Sequence, residues 1–433
     1  MKKIIIVLLV VVICINTLYS KELNIDDAVE MALNNNLELE SQEIEVEKRE
    51  YFKNSTWNYF IPTMTASSTL LRYNELSPLM PDHNWYINFE FSAVLTITSS
   101  LFLGVRYTIL NYEAGLIDLE IARSMLVRDV KKTFYNLLLL EENIRIWEQN
   151  LATAERRYNQ AAERYEYGLV PELDKLSAQV AWENLKPVLA DMRIGYEMAE
   201  LGFKQFIGMD TEEELVLDGF IDIEEVPINI DDFLNRIQDR LDIQAMKQQI
   251  ELLDNFRRVG ISQLLPVLTL MYTADPTFQN DPFEGGWFEN PEDDWVQQRG
   301  AFSVTITVPL DALLPRSKVR VGISQTEDEI RQMNIVLSQA IQMAELETES
   351  IVLKLEKSID SIETLELNVR LAERAFELAE AAYSAGNRDF LDVQNAELEL
   401  QKARLKVLEE KYVYISGLLD LEFALNSPLD SLN

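Results

Sequence analysis

The amino-acid sequence predicts a mainly α-helical protein made of two similar halves, with four β-strands in each chain. Three observations support this fold class: a duplicated set of motifs, a heptad pattern in each half, and strand-like segments between predicted helices. The duplication is considered first, because an internal repeat affects the assignment of every local element.

Two motifs occur once in each half. Asn24–Asp27 returns as Asn229–Asp232, and Tyr165–Gly168 reappears as the related Tyr383–Gly386, 218 residues later (383 − 165). Two weakly similar halves of roughly 200 residues indicate a pseudo-twofold architecture. We therefore expect a first repeat over 21–214, a linker over 215–230 and a second repeat over 231–433.

The first twenty residues have the layout of a secretory signal peptide. Lys2 and Lys3 precede the apolar run 4–15, and a polar stretch ends at Ser20. Twelve apolar residues are too few to span a bilayer, which leaves an uncleaved anchor as a minor alternative. Lipidation of Cys14 is a second alternative. Cleavage after Ser20 would leave a chain without cysteine.

Composition excludes several classes of function. The net charge of −34 comes from 73 acidic and 39 basic residues, which disfavours nucleic acid as a partner. We expect the acids to form a solvated helix surface, part of which lines a pore if there is one. The only histidine, His83, lies in a predicted loop, so the usual parts of catalytic triads and zinc sites are missing. We predict no enzymatic activity, no cofactor and no metal site.

The elements of each half follow from periodicity. A heptad over 130–165 predicts a coiled-coil seam within a long helix of about 105–165, which would extend ~90 Å. Two shorter helices accompany it, over about 25–60 and 172–208, and the second half has equivalents over 231–264 and 389–426. The seam residues are Val130, Leu137, Ile144, Leu151, Tyr158 and Tyr165, repeated as Leu355, Ile362, Val369, Phe376 and Tyr383.

Strand signals lie before the long helix of each half. Segments 62–70, 88–98, 266–272 and 301–308 are rich in Thr, Val and aromatic residues. Four strands cannot close a membrane barrel, whose minimum is about eight. If the strands are transmembrane, a homotrimer with twelve strands is expected, and the same trimer would close the helices into a cylinder. Five nearby aromatic residues fit either a membrane-interface girdle or a cap on a soluble sheet: Trp85, Tyr86, Phe89, Trp287 and Phe288.

In these residues the sequence resembles the outer-membrane efflux protein family of TolC-like channels. The resemblance covers nearly all of the mature chain. It rests on the opening Leu23–Asn36, on the helix-to-strand junctions at Pro62 and Pro266, on the paired turns, and most specifically on Tyr383–Val393. It implies a trimeric β-barrel in the outer membrane and a long α-helical barrel in the periplasm, without catalysis.

The resemblance also implies a function and partners. Family members act as exit ducts of tripartite efflux pumps, in contact with outer-membrane lipid, a periplasmic adaptor (membrane fusion) protein and an inner-membrane transporter. The duct of a type I protein secretion system has the same architecture, and one sequence does not separate the two. A periplasmic coiled-coil protein without a pore is an alternative from another class.

Site residues follow from the resemblance, position by position. Tyr383 and Arg388 match residues that tie neighbouring helices together in the closed state, and Asp174 matches their acidic partner. Asp392 matches one acidic ring at the constriction, and Asn395 occupies the position of a second ring. Leu173 stands where the family pattern has a threonine, so one polar contact of the network is expected to be missing.

The turns Gly168, Leu169, Val170 and Gly386, Asn387 match the region where the helical barrel meets its adaptor. Simpler roles stay open for all these residues. The glycines fit helix C-caps with positive φ, Tyr383 fits packing on the seam, Arg388 and Asp174 fit an exposed ion pair, and Asp392 fits a helix N-terminus.

Overall fold

A computed structural model describes seven segments of the chain: residues 22–75, 84–223, 225–226, 230–278, 280–289, 291–296 and 300–427. The predicted signal peptide over 1–20, together with Cys14 and His83, lies outside these residues.

The described helices are, in chain order, α1 (Ile25–Asn35), α2 (Leu37–Asn54), α3 (Ser99–Glu166), α4 (Glu172–Ile207), α5 (Ile230–Leu234), α6 (Leu241–Ser262), α7 (Pro291–Asp294), α8 (Lys318–Ser384) and α9 (Phe390–Leu425). The strands are β1 (Glu22–Leu23), β2 (Thr63–Arg72), β3 (Trp85–Ile97), β4 (Val216–Leu217), β5 (Val267–Ala274), β6 (Thr277–Phe278), β7 (Trp295–Val296) and β8 (Gly300–Thr307).

The long helices repeat as predicted. Helix α3 contains 68 residues and α8 contains 67, and each is followed by a helix of 36 residues, α4 and α9. The first long helix begins at Ser99 rather than near residue 105, because Gly104 is tolerated inside it at a cost of about 1 kcal/mol. None of the described helices is long and apolar enough to cross a membrane.

The predicted helix over 25–60 is interrupted at Asn36. The Asn36 backbone N–H donates to Ala32, which ends α1, while its side-chain oxygen accepts from the backbone N–H groups of Glu38 and Leu39 at 3.0 Å and starts α2. One asparagine thus caps two consecutive helices. The corresponding segment of the second half is also broken, by a 3₁₀ turn at Ile237–Asp239.

The four predicted strands are present and form one antiparallel sheet in the order β2-β3-β5-β8. Strand β3 begins at Trp85 instead of residue 88, and its first part pairs on one side with the short strand β6. Strands β6 and β7 were missed because two-residue strands carry no periodic signal.

The strand register divides the side chains of this sheet between an apolar and a polar face. Residues opposite each other on paired strands share a face, and neighbours along a strand alternate. One face is mostly apolar and carries Met64, Leu70, Ile87, Phe89, Phe91, Leu95, Ile97, Leu268, Leu270, Tyr272, Phe302, Val304 and Ile306, with Ser68 and Arg72 as polar members. The other is mostly polar and carries Thr63, Thr65, Ser67, Thr69, Asn88, Glu90, Ser92, Thr96, Thr269, Thr273, Ser303, Thr305 and Thr307, with Leu71, Tyr86, Val94, Val267 and Met271 as apolar members. Such alternation is typical of strands with lipid on one side and water on the other.

Strands β2 and β8 form the edges of this sheet. Every residue of both strands is exposed in the single chain. Edge strands present unpaired backbone N–H and C=O groups, which lipid cannot satisfy.

By contact density the chain divides into two compact units, each drawing on both sequence halves. Among the described residues, one unit contains those of 1–43, 118–243 and 340–433, and the other contains those of 44–117 and 244–339. In the first unit the predicted seam is buried where it lies near the unit's cores, at Val130, Leu137, Leu355 and Ile362. The second unit contains the sheet described above.

Candidate functional site at the helix turns

The turns that end α3 and α8 have the same backbone structure. Gly168 and Gly386 have φ of 69° and 75°, a left-handed conformation that glycine adopts without strain. At each turn the backbone N–H of the glycine donates to the carbonyl of the residue three positions before it. The N–H of the residue after the glycine donates to the carbonyl five positions before itself, and all four hydrogen bonds are 2.9 Å long. This is the Schellman motif, so the glycines are helix C-caps.

The turns are largely open to solvent within the single chain. A Cβ on either glycine would meet no atom within 4 Å, and Leu169 is 73% exposed. Val170 is half-buried and Asn387 is exposed. Neither turn is needed for packing within the chain, which leaves both surfaces free for a partner.

Directly beside the turns, Tyr383 of α8 packs against the first repeat. It borders a small cluster of buried residues, Ala161, Ala178 and Phe390, and its ring meets the Phe390 ring edge-on at 5.8 Å. Small alanines on α3 and α4 let the helices of the two repeats approach closely. Tyr383 therefore has the packing role that its seam position predicts.

The Tyr383 hydroxyl has charged neighbours as well. Burial raises the pKa of this phenol, the charge of Asp174 raises it further, and Arg164 acts in the opposite direction. Tyr383 and Asp174 thus lie near enough to interact electrostatically. Arg164 is an additional member that sequence reasoning missed.

Arg388 forms a local ion pair within the single chain. It donates to Asp392 at 3.1 Å, and both side chains are exposed, at 62% and 41%. Within the described part of the chain, no ion pair joins Arg388 to Asp174. The reason is local: Arg388 directly precedes the N-cap Asp389 of α9, and a residue four positions ahead is within reach. An exposed pair of this kind contributes at most about 1 kcal/mol. Asn395, further along α9, is exposed.

A second polar cluster lies deeper in the helices and was not predicted. Arg157 of α3 donates to Glu397 of α9, and its side chain is 12% exposed, against 17% for Glu397. Glu380 of α8 lies 3.9 Å away, and the guanidinium is 5.3 Å from the centre of the Phe376 ring. One cation of the first repeat is therefore held by two carboxylates and a ring of the second.

Burial and neighbouring charges act in opposite directions on Glu397. Burial raises the pKa of Glu397, Arg157 lowers it, and Glu380 raises it. Arg157 is thus the group that opposes the effect of burial on this carboxyl.

Arg157 belongs to a polar heptad on α3. Asn143, Asn150, Arg157 and Arg164 are seven residues apart, and buried atoms of the first three find no hydrogen-bond partner among the described residues. A cavity of about 100 Å³ lined by Asn150, Arg157, Glu397 and Gln401 has room for water beside them. The heptad spacing of these polar residues was the sequence signal that could have revealed the cluster.

An apolar groove lies between the beginnings of α4 and α9. It encloses about 760 Å³ and is lined by Leu173, Leu176, Val180 and Leu391, all between 48% and 71% exposed. Asp174 lies at its edge. No group of three or more His, Cys, Asp or Glu residues with metal-site geometry occurs in the described ranges.

A family model described as outer membrane efflux protein matches residues 28–208 and 235–427, most of the chain. The chain belongs to this family. Like the other members of the family, it is an outer-membrane protein. Among curated proteins, nothing matches the sequence.

Solved structures of outer-membrane channels share the fold of this efflux protein. CmeC of Campylobacter jejuni is 16% identical, with a TM-score of 0.79 over 93% of this chain and 85% of that one. VceC of Vibrio cholerae is 17% identical, with a TM-score of 0.75 over 94% of this chain and 96% of that one. MtrE of Neisseria gonorrhoeae, in an open state, is 18% identical, with a TM-score of 0.76 over 94% of this chain and 89% of that one. The predicted combination of helical barrel and β-barrel is confirmed, and the family and its fold neighbours are channels rather than enzymes.

Proposed function

We propose that this efflux protein is the homotrimeric exit duct of a tripartite pump, a passive channel from periplasm to exterior. The observation that carries this proposal is the four-stranded sheet, with one apolar face, one polar face and two open edges. Edge groups must be paired inside lipid, and three copies would supply twelve strands. A soluble scaffold without a pore would leave the apolar face in water.

The helix turns and the groove between α4 and α9 support contact with a periplasmic adaptor. The groove presents Leu173, Leu176 and Val180 at the spacing of one helix face, beside the exposed Leu169. An amphipathic helix laying its apolar side into such a groove is a common mode of recognition. The adaptor would in turn connect the duct to an inner-membrane transporter.

The polar contacts between the repeats support a gate at the same end. Tyr383 with Asp174, and Arg157 with Glu380 and Glu397, join helices α3 and α4 to α8 and α9. A gate must be held closed by a few kcal/mol so that a docked partner can shift it. In a trimer, Arg388, Asp392 and Asn395 would occur three times around the pore.

Assembly is the first test. In detergent, the purified protein should be a trimer, because a single sheet leaves two unpaired edges. Light scattering measures the mass, and planar bilayers measure conductance. A monomer without conductance would contradict the duct. If the channel is present but its deletion impairs export of a protein rather than resistance to small toxic compounds, the secretion alternative holds.

Ion selectivity tests the pore position of Asp392. In the structure Arg388 offsets its charge. We expect Asp392→Asn to reduce cation preference and Arg388→Gln to increase it, since the first removes the carboxylate and the second removes its counter-charge. Reversal potentials in a salt gradient measure both. If both variants shift the cation preference in the same direction, or if neither shifts it, the pair lies outside the pore.

A further inference from the structure

Large apolar side chains are exposed at all four junctions between the sheet and the helices. We call this set the junction collar. Its members, each 40% to 71% exposed, are Trp57, Tyr59, Phe60, Ile61, Phe102, Leu265, Val308, Leu310, Leu313 and Leu314. All of them lie in the second unit, next to the start of β2, the end of β3, the start of β5 and the end of β8.

The junction collar has a counterpart at the other end of the sheet. There Phe89 and Phe278 pack with Trp287 and Trp295, at ring distances of 5.3 to 6.4 Å. Between the two aromatic regions lies the apolar face. The strand register places Phe89 opposite Ser68 of β2, and Phe278 opposite Ile87, which in turn pairs with Leu70. Aromatic girdles flank the apolar band of membrane barrels on both sides.

A cluster of cations follows the collar. Arg316, Lys318 and Arg320 come directly after Leu313 and Leu314, and no acid occurs between residues 316 and 326 of this strongly acidic chain. All three are exposed, and none forms an ion pair within the described residues.

Two local preferences are broken at this cluster. Arg316 has φ of 63°, a conformation that favours glycine or asparagine. Lys318 and Arg320 lie in the first turn of α8, where the helix dipole favours acids, and that turn contains none. Such exceptions are expected where a residue serves an interaction outside the chain.

In an inserted sheet the junction collar lies at the boundary between headgroups and acyl chains of the periplasmic leaflet, and we propose that Arg316, Lys318 and Arg320 bind anionic phospholipid headgroups beside it. Tryptophan and tyrosine prefer this boundary, and cations next to it gain from anionic lipid. The surface is distinct from the groove and the turns, and it requires only that the sheet is inserted.

Spin labels test the position. In a Cys14→Ser background, Trp57→Cys gives a chain with one cysteine, and Val180→Cys is the control with similar exposure, 57% against 63% for Trp57. Both proteins are reconstituted into phospholipid vesicles, and the relaxation of the spin label by oxygen is divided by its relaxation by a water-soluble nickel chelate. This ratio should be several-fold greater for the label at position 57 than for the label at position 180. Leu314→Cys, at another junction, serves as a second site if the first variant does not fold.

Two results would overturn this position. A label as accessible to the nickel chelate as the Val180 control would place the collar in water. A label shielded from both reagents would mean that protein, for instance a second copy of the chain, covers it.

Lipid preference tests the cations. Spin-labelled phosphatidylglycerol and phosphatidylcholine report relative association with the protein. We expect the preference for phosphatidylglycerol to fall by about fivefold or more when Arg316, Lys318 and Arg320 are all changed to Gln. Changing Lys354, Lys357 and Arg370 of the same helix to Gln is the control with equal charge loss. An unchanged preference, or an equal fall in the control, would contradict the proposal.

Discussion

Changing Val304 to arginine should prevent the protein from accumulating in the outer membrane. Val304 is in the middle of β8, is 57% exposed and belongs to the apolar face, with Leu270 opposite on β5. An arginine on the lipid face near the bilayer midplane costs about 2–4 kcal/mol in each chain. Three copies in a trimer would multiply this cost.

Thr305→Arg is the matched control, since Thr305 is the next residue of β8 and points to the polar face. We expect its level in outer-membrane fractions to stay near wild type. Heat-stable oligomers on gels and immunoblots of membrane fractions measure both variants. Equal loss in the two, or loss only with Thr305→Arg, would show that the assignment of the faces is wrong.

Removing the Arg157 side chain should open the channel. In Arg157→Met, Glu397 loses the cation that lowers its pKa and remains buried near Glu380. Leaving one member of a buried ion pair without its partner costs about 3–5 kcal/mol, which is comparable to the free energy that holds a gate. The repeats should separate near the turns, and single-channel conductance and susceptibility to large antibiotics should both rise.

A second substitution separates this mechanism from general unfolding. In Arg157→Met with Glu397→Leu, both members of the ion pair are replaced by apolar side chains. Replacing a buried ion pair by apolar residues of similar volume often leaves the stability unchanged or increases it. We therefore expect conductance to return towards wild type. An equally open double variant would indicate that the cluster does not hold the gate.

The single variant should also respond to pH. Burial already raises the pKa of Glu397, and without Arg157 this pKa rises further. The closed state then binds the proton more tightly than an open state in which the carboxyl is solvated, so falling pH stabilises the closed state. Excess conductance of Arg157→Met should decrease as pH falls and persist as it rises. The wild type and the double variant are the controls.

Tyr383→Phe combined with Arg388→Ser should have a smaller effect of the same sign. The phenol loses its interaction with Asp174 and Arg164, but Arg388 loses only an exposed pair with Asp392. We expect a modest increase in conductance with little loss of trimer stability. Wild-type conductance and permeability would limit Tyr383 and Arg388 to packing and local pairing.

Much of the fold could be predicted from the sequence because its signals are local. A heptad defines a long helix wherever it occurs, and the glycines at 168 and 386 end helices because only their backbone adopts positive φ without strain. The four strands follow from β-branched and aromatic runs after Pro62 and Pro266. Even here Asn36 was missed, since one asparagine capping two helices has no periodic signal.

The candidate site depended on contacts between distant parts of the chain. By itself the sequence determined the duplication, the helices, the strands and the turns, each of which is a property of neighbouring residues. Only the tertiary structure decided that Arg157 meets Glu397, 240 residues later, and that Arg388 pairs with Asp392 rather than Asp174. Strand register likewise decided which face of the sheet is apolar, because a shift of one residue exchanges the two faces. Long side chains such as arginine choose among several carboxylates by distance and burial, and neither quantity exists until the helices have packed.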